Sequence, residues 1–350
     1  MPESSWSPDA AGDQPASEPL QAALAEQCGR IRELLVLASR HAAEDPAHVH
    51  QLRVATRRAE AIVEAADGFL GEKRRQRLVK GLRRLRQLAS DARDLDVALE
   101  QLVAFPPASL TVELRWRLVH ATAVERGLAQ QELSAGIARV RRKRRVQDWQ
   151  DSAARLAWRG EGDEPTWDEL ASHRLQLVVH ELATAGDPWP ATTRTLHALR
   201  IAVKQGRYAC ELFASALPGF AEARSTFQCL QDELGAWHDL RVRTALWKTW
   251  LDMPWAPNVQ DELREQIASW QEQEPAVRQA LADRWSRTAF TALLGQLSGA
   301  TESDDADSLR EIGGLNDRLE NERGDGDEAD APEDVTDDDV TEDGESQETT

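Results

Sequence analysis

Apolar positions along this chain recur three and four residues apart and almost never alternate, the spacing of helices rather than strands. From Leu20, the residues Leu24, Ile31, Leu34, Leu35 and Leu37 line one side of a helix predicted to reach about residue 43, before Asp45-Pro46 breaks it. The next helix is predicted over 48–70, with Leu52, Ala55, Ala59, Ile62, Val63 and Ala66 as its apolar side and Gly68 and Gly71 at its end. A third covers 72–90 through Leu78, Leu82, Leu85 and Leu88, and a junction at 91–97 leads into a short helix that stops before Pro106-Pro107. A long helix is predicted over 108–135. Beyond it, helices are predicted over 167–185, 192–217, 220–236, 238–251, 258–271 and 275–297. The fold class read from this pattern is all-α.

The polar faces carry the chemistry. His50, Arg53 and Arg57 stand at i, i+3 and i+7, within an arc of about 60° at 100° per residue, and Arg58 flanks them. In the third helix Lys73, Arg77, Lys80 and Arg84 make a second basic face, with Arg83 beside them. Cations in a row, headed by a histidine, suit a chain of phosphates; the plain alternative is a solvated helix face. Six cations in seven residues follow at Arg139–Arg145 and read as an exposed face, a linker or an anion patch.

The chain repeats itself. Residues 195–203 (TLHALRIAV) restate 48–56 (HVHQLRVAT), so His50 maps to His197, Arg53 to Arg200 and Arg57 to Lys204. Arg93-Asp94-Leu95 is echoed by His238-Asp239-Leu240. A unit of about 145 residues therefore occurs twice, and two copies are expected to pack about a pseudo-twofold axis as tandem helical bundles. The expected division is a disordered segment 1–19, a first repeat 20–158, a Gly- and acid-rich linker 159–166, a second repeat 167–298 and a disordered tail 299–350. A solvated face has no reason to keep the same His and cation spacing twice.

Composition changes the picture in one respect. The chain has 350 residues and a net charge of −19, but 21 acidic and 3 basic residues lie in 301–350, and 4 acidic and no basic ones in 1–19. Taken from totals of 61 and 42, these leave 36 acidic against 39 basic over 20–300. The folded part is slightly basic, and the acidity belongs to the tail. Three separated cysteines form no pair and point to a reducing compartment. The N-terminus has no leader pattern and no apolar run reaches 18 residues, so a cytoplasmic protein with no membrane partner is expected. Trp116, Trp237, Trp247 and Trp285 fall at apolar helical positions and are expected in the core or an interface.

The blocks HxxRVAxRR, RDLDV, LHxLRIxxKxxRY and HDL, in this order, closely resemble the CHAD family, the conserved-histidine α-helical domains. The resemblance covers about residues 20–298 and implies two related bundles around a basic groove or cavity, inorganic polyphosphate as the ligand, and association with polyphosphate granules. It assigns His50, Arg53, Arg57 and Arg58 to one basic helix, His197, Arg200, Lys204 and Arg207 to the other, and His238 to the second junction; Arg77, Lys80, Arg83 and Arg84 would back the first. Glu60, where the family often has a cation, Glu64 and Glu211 depart from the pattern, and 219–236 keeps only Arg224. The N-terminal half, with Lys80 and Arg84, is therefore expected to carry more of the affinity. His50 and His197 would donate hydrogen bonds while neutral and add charge below about pH 6.5. Asp94 and Asp239 read as helix-start caps or as partners orienting a cation.

No catalysis, cofactor or metal is expected. A rival reading takes His238-Asp239 as the core of a metal-dependent His-Asp phosphohydrolase, but the matching Arg93-Asp94 puts at that position an Arg, which cannot ligate metal. Nucleic-acid binding through Arg139–Arg145 is a third reading, opposed by the low net charge of 20–300. The net −18 tail is a tethered polyanion that would compete for a basic surface. Removing residues 301–350 is expected to tighten polyphosphate binding at low salt; equal affinity of the full and shortened chains in a low-salt titration would sink that expectation.

Overall fold

A computed structural model describes residues 6–286 except 43, 105–109, 186–191 and 217, together with 291, 292, 294 and 295; for 218–223 it describes the backbone alone. The acidic tail, 299–350, lies outside the described residues. The helices are α1 (Ser17–Arg40), α2 (Ala47–Ala65), α3 (Glu72–Leu88), α4 (Ser90–Ala104), α5 (Val112–Arg142), α6 (Arg145–Ala153), α7 (Trp167–Ala185), α8 (Thr193–Leu212), α9 (Pro218–Thr249) and α10 (Pro257–Arg284), with a 3₁₀ turn at Trp250–Asp252. Among the described residues the one β pairing is an isolated bridge between Pro15 and Thr166. The all-α reading holds.

Successive helices pack side by side: α1 on α2, α2 on α3, α4 on α5, then α7 on α8, α8 on α9 and α9 on α10. Two pairings cross between the halves of the chain, α2 with α8 and α5 with α10. The apolar side chains sort into two cores. The larger draws on Ile31, Ile62 and Leu82 from the first half and Trp167, Leu199 and Phe227 from the second. The smaller joins Leu102, Leu114 and Leu118 to Trp247, Leu263 and Trp270. Neither core belongs to one repeat, and the described residues form one compact unit.

Several boundaries differ from the sequence reading. Helix α5 continues past residue 135 because Leu133, Gly136 and Ile137 keep its buried side going to Arg142. Helix α6 was not expected; Val146, Trp149 and Ala153 give it a buried side within nine residues. Helices predicted over 220–236 and 238–251 are one rod, α9, since Leu230, Leu234 and Trp237 keep helical register across the supposed gap. Likewise α10 runs through Pro275, whose lost N–H would ordinarily end a helix. Its flanks are held on one side of the rod, Ile267 and Trp270 before the proline and Leu281 after it. Trp116 is not a core residue: it is 69% exposed and stacks on His120 with ring centres 6.3 Å apart. Trp237 and Trp247 are buried, and Trp285 is partly buried against the larger core.

The N-terminal segment is also corrected. From residue 6 onward it is docked, although its composition is that of a disordered lead-in. Trp6 is 4% exposed and its indole N–H donates to Glu211 Oε2 at 2.7 Å. The backbone of 12–17 is stitched to the 164–168 stretch: Ala16 N donates to Pro165 O at 3.0 Å, and Trp167 N to Gln14 O at 2.8 Å. One aromatic side chain and a few backbone donors outweigh a composition dominated by Ser, Asp and Pro. Trp6→Ala removes a buried indole and is expected to cost about 3 kcal/mol of unfolding free energy. A urea titration checks this, and a loss under about 1 kcal/mol would mean the segment is not docked in solution.

Candidate functional site

Helix α2 buries Val49, Leu52, Ala55, Ala59, Ile62 and Val63 and leaves His50, Arg53 and Arg57 on its other side. Arg53 is half-buried. Its guanidinium donates to the carbonyl of Arg86 at 3.2 Å and to the hydroxyl of Ser90, which fixes it across the corner between α3 and α4. Helix α8 buries Leu196, Leu199 and Val203 and presents His197, Arg200 and Lys204, all half-buried. Because α2 packs on α8, the two repeated faces belong to neighbouring helices.

Electrostatic effects trace how the charged groups meet. His238 of α9 lies beside His197, ring centres 6.4 Å apart. Burial, then the charges of Arg200, Lys204, His197 and Arg241, hold its pKa down at about 3. His50 is pushed below the usual imidazole range by desolvation and by Arg93, Arg53 and Arg57. Burial raises Asp239 above the usual carboxylate range, against the opposing pull of Arg200, Lys204, Arg243 and Arg93. Arg93 from the first half therefore acts on both His50 and Asp239. The cations of α2 and α4 share one field with those of α8 and α9. In the free protein, burial and the neighbouring cations therefore disfavour the charged form of both His50 and His238.

Other expected residues face elsewhere. Arg58 and Arg207 both turn onto the buried Glu211. Arg58 Nη2 lies 3.6 Å from its carboxylate and stacks over Trp6 at 5.4 Å. Arg207 pairs with the same carboxylate and donates to Gln231 Oε1 at 2.7 Å. Arg83 donates to Glu60 Oε1 at 2.6 Å, and Arg86 pairs with the other oxygen. Glu64 lies 3.9 Å from Arg174, and burial together with the neighbouring Glu60 carboxylate raises its pKa. The three glutamates that break the motif are thus anchors for neighbouring arginines. Arg77, Lys80 and Arg84 are exposed on α3, the helix that packs on α2.

Asp94 and Asp239 lie within α4 and α9, so neither caps a helix start. A partner role fits Asp239, which has three second-half cations and Arg93 around it. The sequence reading missed Arg93, Arg241 and Arg243. Arg93 was visible in the repeated Arg-Asp-Leu block and was taken as a marker of the repeat. Arg241 and Arg243 follow the His-Asp-Leu block directly, and their cations offset the poverty of 219–236. Arg243 rests over the Trp270 ring at 4.4 Å and Arg241 over Trp237 at 5.3 Å, so aromatic faces hold both side chains. Among the described residues no three His, Cys, Asp or Glu side chains are placed to hold one metal ion. Cys28 and Cys210 are buried, which pushes both thiols up, Cys28 to about 12. No described helix is long and apolar enough to cross a membrane.

An arrangement of guanidinium forks, an ammonium and neutral imidazoles can bind oxyanions at several points along a line. Among solved structures, the CHAD domain of the plant Ricinus communis is similar at 22% identity with a TM-score of 0.60, over 82% of this chain and 93% of that one. PptA from Streptomyces chartreusis is similar at 17% identity and a TM-score of 0.60, over 78% of this chain and 100% of that one. At these identities the likeness speaks to the fold alone. No curated protein matches the chain. The CHAD domain family model matches residues 20–248, which hold both His/Arg helices and end before α10, so the chain belongs to the CHAD domain family.

Proposed function

We propose that this protein binds inorganic polyphosphate, without transforming it, at the cluster formed by α2, α4, α8 and α9, and that it does so at polyphosphate granules. The observation that carries this reading is the shared field: Arg93 acts on His50 of one half and Asp239 of the other. Polyphosphate carries about one charge per phosphate and no bases, so it asks for a line of cations and hydrogen-bond donors and no stacking platform. His50, Arg53, Arg57 and Arg93 offer one stretch of that line; His197, Arg200, Lys204, His238, Arg241 and Arg243 offer the other. Asp239 keeps the second stretch from repelling itself before ligand arrives. A hydrolytic role for His238-Asp239 finds less support, because Arg200, Lys204 and Arg241 surround His238 with positive charge that a divalent ion would add to.

Arg53→Ala combined with Arg200→Ala is expected to weaken binding of long-chain polyphosphate by about 100-fold, two charge-assisted contacts at roughly 1.5 kcal/mol each. Calorimetry against duplex DNA of matched charge checks both affinity and choice of ligand. Preference for DNA, or wild-type affinity in the double variant, would overturn the reading.

The histidines set a pH dependence. A polyanion neutralises the cations around His50 and His238 and so raises both pKa values from their depressed positions in the free protein. Binding then takes up protons, and affinity is expected to rise as pH falls from 7 toward 5. His238→Gln is expected to flatten that rise. An identical pH profile for the variant would remove His238 from the site.

A further inference from the structure

The strongest unexplained feature lies outside the cluster. On the wheel of α3, Lys73, Arg77, Lys80 and Arg84 fall in an arc of about 60°, and all four are exposed. That arc is roughly 60° removed from Arg83 and further from Arg86, which turn back to Glu60 on α2. On its other edge lie Gly81 and Leu88. A Cβ on Gly81 would come within 2.9 Å of Trp149 in α6, and one on Gly136 of α5 within 2.8 Å of Leu88. The corner joining α5 to α6 therefore runs beside the basic face of α3. That corner is the run Arg139–Arg145, whose six cations are all exposed.

The two basic stretches thus adjoin as one outer surface of ten cations. Among the described residues none of these ten forms a salt bridge, in contrast to Arg83, Arg86 and Arg207, each of which is tied to a carboxylate. Asp91 and Glu132 stand at the Arg84 end, around a notch of about 260 Å³, while Glu72 precedes Lys73 and Asp148 lies in the first turn of α6. The corner itself is built at a backbone cost. Arg144 adopts φ 52°, ψ 30°, a left-handed conformation that glycine or asparagine would take more readily. The turn carries a cation where its backbone favours another residue. No exposed aromatic side chain interleaves the run, since Trp149 is buried. The surface therefore fits a phosphate backbone better than bases.

We propose that this outer surface is a second polyphosphate-binding site, which lets one molecule hold two stretches of a long chain. The proposal rests on the reading of the inner cluster as a polyphosphate site, and adds to it a dependence on chain length: tripolyphosphate fills one surface, and a long polymer reaches both and gains from the tether.

The test uses the full chain and three variants: the outer set Arg141→Gln, Arg142→Gln, Lys143→Gln and Arg145→Gln, the inner pair Arg53→Ala and Arg200→Ala, and both together. Circular dichroism melts establish that each is folded. Calorimetry with long-chain polyphosphate is expected to show at least about a 10-fold loss for the outer set, with a salt slope shallower by roughly 3, about 0.7 per cation removed. Tripolyphosphate binding at the inner cluster should persist in the outer set, and the combined variant should bind neither probe. Unchanged long-chain affinity and salt slope in the outer set would overturn the second site while leaving the inner one intact. If instead the inner pair binds as wild type and the outer set does not, the outer site stands and the inner reading falls. A wild-type chain that binds no polyphosphate would overturn both.

Discussion

The structure depends on how two buried glutamates manage like-charge repulsion. Glu60 accepts from Arg83 and Arg86, drawing α3 onto α2. Glu211 holds Arg207 of its own helix, Arg58 of α2 and the indole of Trp6. Without these carboxylates, four guanidinium groups would face each other at helix interfaces, where screening is weaker than in open water. Neutralising either glutamate would leave half-buried cations without their carboxylate, which costs more than the pair contributes. Glu211 has a further effect: it connects the N-terminal segment, the first His/Arg helix and the second. The motif departures are therefore part of what positions the cluster, since they fix Arg58, Arg83, Arg86 and Arg207 on carboxylates.

A second constraint is the sharing of the cores. Each repeat contributes helices to both apolar clusters, and Val277 of α10 packs against both. The α2–α8 contact is consequently not a hinge between two bodies. Arg93, His50, Arg200 and His238 are held relative to one another by continuous packing, so the cluster is assembled before any ligand arrives.

Much of this was legible in the sequence, and the reasons for the rest are specific. Helical spacing gave the class and most helices, and the repeat pointed to His50, Arg53, His197 and Arg200 as partners. Their neighbourhood follows from α2 packing on α8. Boundaries failed where a breaker was overruled by packing, as at Pro275, or where no breaker existed, as at Gly235-Ala236-Trp237 in α9. Trp6 was hidden in a segment of disordered composition, because one buried indole hardly alters an average. The roles of Arg58, Arg207 and Arg83 could not be read from helical wheels. A wheel says which way a side chain leaves its helix; Arg58 and Arg83 are decided by carboxylates on another helix, at separations of up to 153 residues in the chain for Arg58 and Glu211, and Arg207 by Glu211 one turn along its own helix together with Gln231 of α9. Arg241 and Arg243 lie just past the repeated block, where the repeat carries no signal.

The interleaving of the cores has a consequence for how the chain is made. As synthesis proceeds from the N-terminus, the first repeat emerges with Leu102, Leu114 and Leu118 in place but without Trp247, Leu263 and Trp270, which complete their core. That side of the nascent chain stays apolar and uncovered until α10 has left the ribosome, more than a hundred residues later. The α5–α10 contact closes a loop of this length, so the smaller core needs a distant contact in addition to the local hairpins that dominate the helix order. In such a chain α10 acts as the cover over the smaller core, and a truncation that spares every cation of the cluster but removes α10 leaves that core open.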